Sequence, residues 1–298
     1  MKERKPAGWR RPVQSGIAAV LSMLWAASAV GGTHLDLTYA TVGDKELKLD
    51  LYVPEGVDSP PLVVWIHGGA WQFGSKANPP ANFVESGFAL ASVEFRQSTE
   101  APFPAMVHDI KAAVRYLRAN ADVYGYSAER IGISGASSGG HLAALVGVTN
   151  GVAELEGALG DYVDVSSDVQ AILVYFGASN LTSILDQSTP RGIEIRVPAL
   201  ERLLGGVPAD VPDVARLASP VFHVDESDPP LLLLHGDQDP QMPINQAHEL
   251  HGAYKAAELD AEFDVVHGAG HGGPAFYNEE HWARAEAFLR RVLTAAGS

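Results

Sequence analysis

The sequence predicts an α/β fold in which an open, mostly parallel sheet carries helices on both faces. Two observations lead to it. Short apolar runs without alternation recur along the chain, as strands buried on both faces require. Between them lie segments with apolar residues three and four positions apart, the spacing of helices that bury one face. A third observation adds detail: two alternating segments near the start read as an antiparallel hairpin at one edge of the sheet.

The 298 residues are enough for a single large domain with a substantial core. Hydrophobic content of 46% and charged content of 19% are ordinary for a globular protein and exclude disorder, collagen and coiled coil. A formal net charge of −15 repels phosphate, so nucleic acid and anionic membranes are excluded as partners. The same charge favours neutral or cationic substrates in a general way. With no cysteine there is no disulfide, thiolate metal site or Cys nucleophile.

Taken in order, the chain opens with a basic head (Lys2, Arg4, Lys5, Arg10, Arg11), followed by an uncharged stretch over residues 16–30. Ala27-Ser28-Ala29 supplies a small-x-small cleavage site, and the stretch is shorter than the roughly 20 residues that span a bilayer. Residues 1–29 therefore read as a signal peptide. The expectation is a secreted or periplasmic protein with no stable membrane span after cleavage. Arg10-Arg11 hints weakly at twin-arginine export, but Pro12-Val13-Gln14 lacks the usual hydrophobic continuation. Residues 30–298 then form one catalytic domain.

The hairpin is expected over residues 35–41 and 47–53, with Gly43-Asp44 between them. Buried strands follow at residues 62–66, 88–93, 131–133, 171–176, 231–234 and 263–266. Helical spacing appears in Val107, Ile110, Val114 and Leu117, and again in Trp282, Phe288, Leu289, Val292 and Leu293. Residues 178–230 break the rhythm with a Pro- and Gly-rich stretch holding one amphipathic piece, residues 198–204, and read as a small insertion near the site, a partial lid. Parallel sheets bind ligands beyond the carboxyl ends of their strands, so the chemistry belongs in the loops after the runs.

The most specific signal is Gly135-Ala136-Ser137-Ser138-Gly139, between the strand at 131–134 and a helix expected over 140–149. A serine at a sharp strand-to-helix turn is held in a strained conformation that exposes Oγ, and side chains two positions either side would strike neighbouring backbone. A serine hydroxyl needs an imidazole to take its proton and a carboxylate to orient the ring. Two downstream loops supply both: His235-Gly236-Asp237-Gln238-Asp239-Pro240, and His267-Gly268-Ala269-Gly270-His271-Gly272-Gly273.

Two residues compete for each role. Asp239 is preferred as the acid because it lies deeper in its loop, leaving Asp237 to brace the turn through backbone amides. His271 is preferred as the base because it sits among glycines at a loop tip, whereas His267 ends its strand. The loop His67-Gly68-Gly69-Ala70-Trp71 follows another buried run, and its free N–H groups can hold an oxyanion. The expected donors are Gly69, Ala70 and Ser138. Loss of one such donor typically costs about 3 to 4 kcal/mol of transition-state stabilisation. His67 reads as a loop brace.

With these motifs in view the chain resembles α/β-hydrolase carboxylesterases akin to the hormone-sensitive lipase group, and most of all their acetylxylan and feruloyl esterase branch. The resemblance covers nearly all of residues 35–296. It rests on HGGAW at 67–71, FPAMVHDIKAAVRYLRANA at 103–121, RIGISGASSGGHLAAL at 130–145, LLLLHGDQDP at 231–240 and HGAGHGG at 267–273. It implies a serine hydrolase with a nucleophile at Ser137, an acid at Asp239, a base at His271 and an oxyanion hole in the 67–71 loop. It also departs from the pattern: Ala70 replaces the third glycine, which keeps the N–H but narrows the space above it, and the lid helix that lipase-like relatives carry at the N-terminus is not expected.

The remaining polar and aromatic residues receive plainer readings. His141 reads as a packing residue, and Arg96 with Asp109 as a structural ion pair. His248 and His251 lie three apart, which is not the zinc-binding i, i+4 spacing, so neither metal nor cofactor is expected. Trp71, Phe73 and Phe276 are candidate substrate-pocket residues. The expected substrate is a small-molecule or polysaccharide-linked ester with a short acyl group. The alternatives are an amide-directed relative, such as a formamidase or exopeptidase, and a non-catalytic binding protein on the same fold.

Overall fold

Alternation of apolar and polar residues at the start yields the hairpin: β1 (Gly32–Val42) pairs antiparallel with β2 (Lys45–Val53) across a turn where Gly43 has φ +59°. The computed structural model describes residue 1 and residues 31–294, so the signal peptide expected over residues 1–29 lies outside the described residues apart from Met1. The six apolar runs become β3 (Leu62–Ile66), β4 (Ala89–Val93), β5 (Ile131–Ala136), β6 (Ala171–Tyr175), β7 (Leu231–Gly236) and β8 (Ala261–Val266). All residues of β3, β4, β6 and β7 are buried, as strands covered on both faces must be.

The eight strands form one sheet in the order β1-β2-β4-β3-β5-β6-β7-β8. Strand β2 is antiparallel to both its neighbours, and every pairing from β4 to β8 is parallel. Successive side chains of a strand point to opposite faces, and the core divides accordingly. Leu62, Val64 and Ile66 of β3 join a cluster with Ile110, Val114 and Leu117 of helix Ala105–Ala119. Val63 and Trp65 point the other way, into a cluster with Phe288, Leu289 and Leu293 of helix Glu279–Thr294.

Strand β3 lies between β4 and β5, so the strand order reverses beside it, and the crevice beyond the carboxyl ends of β3 and β5 opens at that switch point. The helix after β5 spans Ser138–Gly147 and starts two residues earlier than the spacing suggested. In the insertion the amphipathic piece expected over residues 198–204 is the second half of a longer helix, Pro190–Leu204. Its start is set by Thr189, whose hydroxyl accepts the Gly192 N–H at 3.0 Å, and by Pro190 in the first position. Pro198 sits exposed inside the helix, so its missing N–H does not end it. No helix among the described residues is long and apolar enough to cross a membrane.

Candidate active site

Ser137 stands at the end of β5 with φ +56° and ψ −122°, a backbone conformation that only a tightly determined turn holds in a residue with a side chain. The flanking glycines supply that determination. A Cβ on Gly139 would lie 2.1 Å from the Ile66 carbonyl oxygen and 2.4 Å from that of His67, and one on Gly135 would lie 2.3 Å from the Gly139 oxygen. The end of β5 thus presses against the end of β3, its neighbour in the sheet. The Ser137 N–H donates to Tyr175 O at 2.9 Å, and Ser137 O accepts the His141 N–H at 3.0 Å.

The loops after β7 and β8 converge on this serine. Ser137 Oγ lies 2.8 Å from His271 Nε2, and His271 Nδ1–H donates to Asp239 Oδ2 at 2.7 Å. The other oxygen, Oδ1, accepts from the N–H groups of Gln241 and Met242, both at 2.8 Å. Burial pushes the Asp239 carboxyl up, but hydrogen bonds from His235, His271 and the Met242 N–H outweigh it and hold the group well below the usual carboxylate range. Asp239 is therefore a permanent anion under a ring whose other nitrogen meets the serine. Asp237 and His267 pair with each other at 2.9 Å on the surface, and Asp237 also accepts the Gly268 N–H at 2.8 Å.

The loop after β3 runs through unusual backbone. Gly69 has φ +133°, and Ala70 and Trp71 follow at +51° and +60°, in the left-handed region that glycine normally fills. The Gly69 carbonyl accepts the N–H groups of Gln72 and Phe73, both at 2.9 Å. Among the described residues, the N–H groups of Gly69, Ala70 and Ser138 have no acceptor, and all three residues line the cavity that opens over Ser137. His67 is nearly buried, donates Nδ1–H to Gly68 O at 2.9 Å and stacks on Phe95, so it holds the loop rather than the serine. Burial also pushes its pKa down.

The cavity measures about 440 Å³ and is lined mainly by apolar atoms. Of the three aromatic candidates, Trp71 and Phe73 line it, differently placed. Trp71 is almost wholly buried and donates Nε1–H to His141 Nδ1 at 3.0 Å, while Phe73 projects 67% exposed at the rim. Phe276 does not line the cavity, and the expectation is corrected. It has no exposed surface, packs 4.6 Å from Phe176, and it is Phe176 that meets both the His271 ring, at 4.9 Å, and the cavity. The signal for Phe176 was its place at the carboxyl end of a buried run, where the site loops begin. Sequence reasoning also missed Ile195, Arg196 and Ala199 from helix Pro190–Leu204, and Gln241 and Met242 just after the acid loop.

His141 lies buried between Trp71 and the Ala218 carbonyl, which accepts its Nε2–H at 2.7 Å, and burial pushes its pKa down to about 4. Arg96 clamps the wholly buried Asp109 carboxylate with Nε, Nη2 and its backbone N–H. His248 and His251 pack on Phe263, and Glu249 accepts from Asn180, Ser183 and Gln187. Among the described residues no group of three or more His, Cys, Asp or Glu is placed to hold a metal ion.

A parallel sheet with an antiparallel edge, a strained serine between β5 and its helix, and a histidine and an aspartate delivered from the next loops define an α/β-hydrolase. Within that class the chain belongs to the BD-FAE family, whose model matches residues 49–254. It is 30% identical over 254 residues to the esterase LipC of Mycobacterium tuberculosis, covering 78% of this chain and 61% of LipC. A truncated carbohydrate esterase from gut microbiota matches with a TM-score of 0.79 at 32% identity, covering 91% of this chain and 99% of that one. The propionate-bound Est2 esterase of Thermogutta terrifontis matches with a TM-score of 0.70 at 26% identity, covering 90% and 97%. The chain spans about half the length of the curated relatives it matches.

Proposed function

We propose that this chain is a serine carboxylesterase that hydrolyses short-chain or carbohydrate-linked acyl esters through an acyl-enzyme. The observation that carries the reading is the unbroken relay from Ser137 Oγ through His271 to the buried Asp239 carboxylate, at 2.8 and 2.7 Å. As Oγ attacks the ester carbonyl carbon, His271 Nε2 takes its proton, and Asp239 stabilises the imidazolium. The carbonyl oxygen becomes an oxyanion held by the N–H groups of Gly69, Ala70 and Ser138. Collapse breaks the bond to the alcohol, which leaves with the proton from His271. A water then gives a proton to His271, attacks the acyl carbon, and releases the acid as the proton returns to Ser137 Oγ.

A cavity of about 440 Å³ whose lining includes Ala70 and Phe176 suits a short acyl group, and propionate is the acid bound in one structural neighbour. The carbohydrate esterase among the neighbours supports a sugar-borne ester. The export signal read at residues 1–29 supports action on extracellular substrates.

The test is hydrolysis of p-nitrophenyl acetate by the full chain beside Ser137→Ala, with folding of both checked by circular dichroism. Turnover by the native chain, with a loss of at least roughly a thousandfold in the variant, is the expected result. Equal rates in the two proteins would remove Ser137 as nucleophile. A p-nitroacetanilide arm separates ester from amide preference, and faster turnover there would favour the amide-directed alternative.

A further inference from the structure

Helix Pro190–Leu204 buries one stripe, comprising Gly192, Arg196, Ala199, Leu200, Leu203 and Leu204. An arginine on that stripe is out of place. Positions 194 and 201 on the same helix carry glutamates at exposed sites, so a solvated place for the charge was near at hand. Arg196 is instead 4% exposed, and its Nε and Nη2 are buried without a hydrogen-bond acceptor. It forms no ion pair with any described carboxylate; burial pushes its pKa down to about 10, and the Asp239 charge opposes that shift. Arg196 helps wall the same cavity as Ser137, together with Ala199, Gln241 and Met242.

Burying an unpaired guanidinium is costly, and native proteins rarely leave one without a partner. Arg115 and Lys111 show how this chain handles its other buried cations, each of which meets Glu156. Arg196 lacks such a group and borders the one cavity that must admit substrate. Resting on the esterase reading above, we propose that Arg196 is a specificity residue that binds a carboxylate carried by the ester substrate. The guanidinium fork offers a carboxylate charge-assisted hydrogen bonds. A doubly charged phosphate is disfavoured, because a single cation would face it in a site that already contains the Asp239 anion.

The carboxylate can lie on the acyl or the alcohol side, and two substrate pairs separate the cases. On the acyl side, mono-4-nitrophenyl succinate is compared with 4-nitrophenyl butyrate. On the alcohol side, 4-acetoxybenzoate is compared with 4-acetoxybenzamide. In the full chain, Arg196→Met is expected to lower the charged-to-neutral ratio of kcat/KM by about 10- to 100-fold in one pair, through KM, the size of a lost charge-assisted contact. Arg196→Lys keeps the charge without the fork and is expected to recover part of that ratio. A change by one common factor in both members of both pairs would make Arg196 a packing residue or a field acting on Asp239, and would overturn the proposal.

Binding gives a second readout that needs no turnover. In the Ser137→Ala chain, calorimetry with monomethyl succinate for the acyl side and 4-acetoxybenzoate for the alcohol side is expected to show, for one of the two, binding that Arg196→Met abolishes. If the native chain hydrolyses no ester yet this Arg196-dependent binding persists, the esterase reading fails and the carboxylate site stands. Activity on neutral esters, with neither a charged-substrate preference nor Arg196-dependent binding, has the opposite meaning: the esterase reading stands and the carboxylate site falls.

Discussion

Asp237 and Asp239 stand two residues apart in one loop, yet their surroundings assign them different work. Asp239 has no exposed side-chain surface and divides its oxygens between His271 and two backbone N–H groups. Asp237 is partly exposed and accepts from His267 and the Gly268 N–H, tying the two loops together at the surface. On the proposed chemistry, Asp239→Asn loses the anion that fixes the ring tautomer, and kcat on p-nitrophenyl acetate should fall by roughly 10³- to 10⁴-fold. Asp237→Asn should leave kcat within about twofold, as surface changes away from the chemistry usually do. Comparable losses in the two variants would undo the assignment. Sequence order ranked these acids only by depth in the loop, because the partner of each lies about thirty residues further on.

Among the elements, helix Pro190–Leu204 shapes the site most while belonging least to the sheet. Its first turn is fixed twice by Thr189, whose hydroxyl accepts the Gly192 N–H and donates to Pro240 O at 2.7 Å, just after Asp239. That contact seats the helix against the acid loop and brings Ile195, Arg196 and Ala199 to the cavity. Thr189→Ala should cost about 1 kcal/mol in urea unfolding, the usual loss for a helix cap, and should raise KM more than it lowers kcat. An unchanged KM would mean that the cavity wall does not depend on this cap. The sequence concealed the first half of the helix because Pro198 looked like a beginning. In the structure that proline is exposed, and the buried stripe on the other face carries the helix through it.

For the whole molecule, the pH dependence of stability has a buried contributor away from the site. Asp228 is 8% exposed, and burial pushes its pKa up to about 7, although the Asp225 N–H donates to it at 3.0 Å. In the unfolded chain the group titrates near 3.9, about the value of a free Asp. Between about pH 4 and pH 7 the folded protein therefore holds a proton that the unfolded chain has lost. The contribution of Asp228 is fully present below pH 4, declines through that window, and is gone above pH 7. Asp228→Asn keeps an acceptor for the Asp225 N–H. It should raise stability at pH 8 by about 1 to 3 kcal/mol and leave it nearly unchanged at pH 4. Urea titrations at the two pH values measure the difference, and an equal shift at both would exclude a charge effect.

Net charge offers a second contrast at this scale. A chain at −15 favours neutral or cationic ligands in bulk, but what a substrate meets inside a cavity is the nearest fixed charge, and Arg196 stands there.

The sequence by itself determined the strands and the serine turn, because each depends on neighbours within a few residues. A run apolar at every position has to be covered on both faces, and Gly135 and Gly139 bracket a serine wherever a strand meets a helix so tightly. It also determined which loops meet, since parallel strands deliver all their carboxyl ends to one edge. Only the tertiary structure decided what lines the cavity. Phe176 rather than Phe276 borders it, and Arg196 faces it, because those placements depend on how the insertion and the last two loops pack across the edge of the sheet. Ser137 and His271 are 134 residues apart, and at such separations residue type and spacing leave open which side chain fills which wall. Packing of the assembled elements settles it.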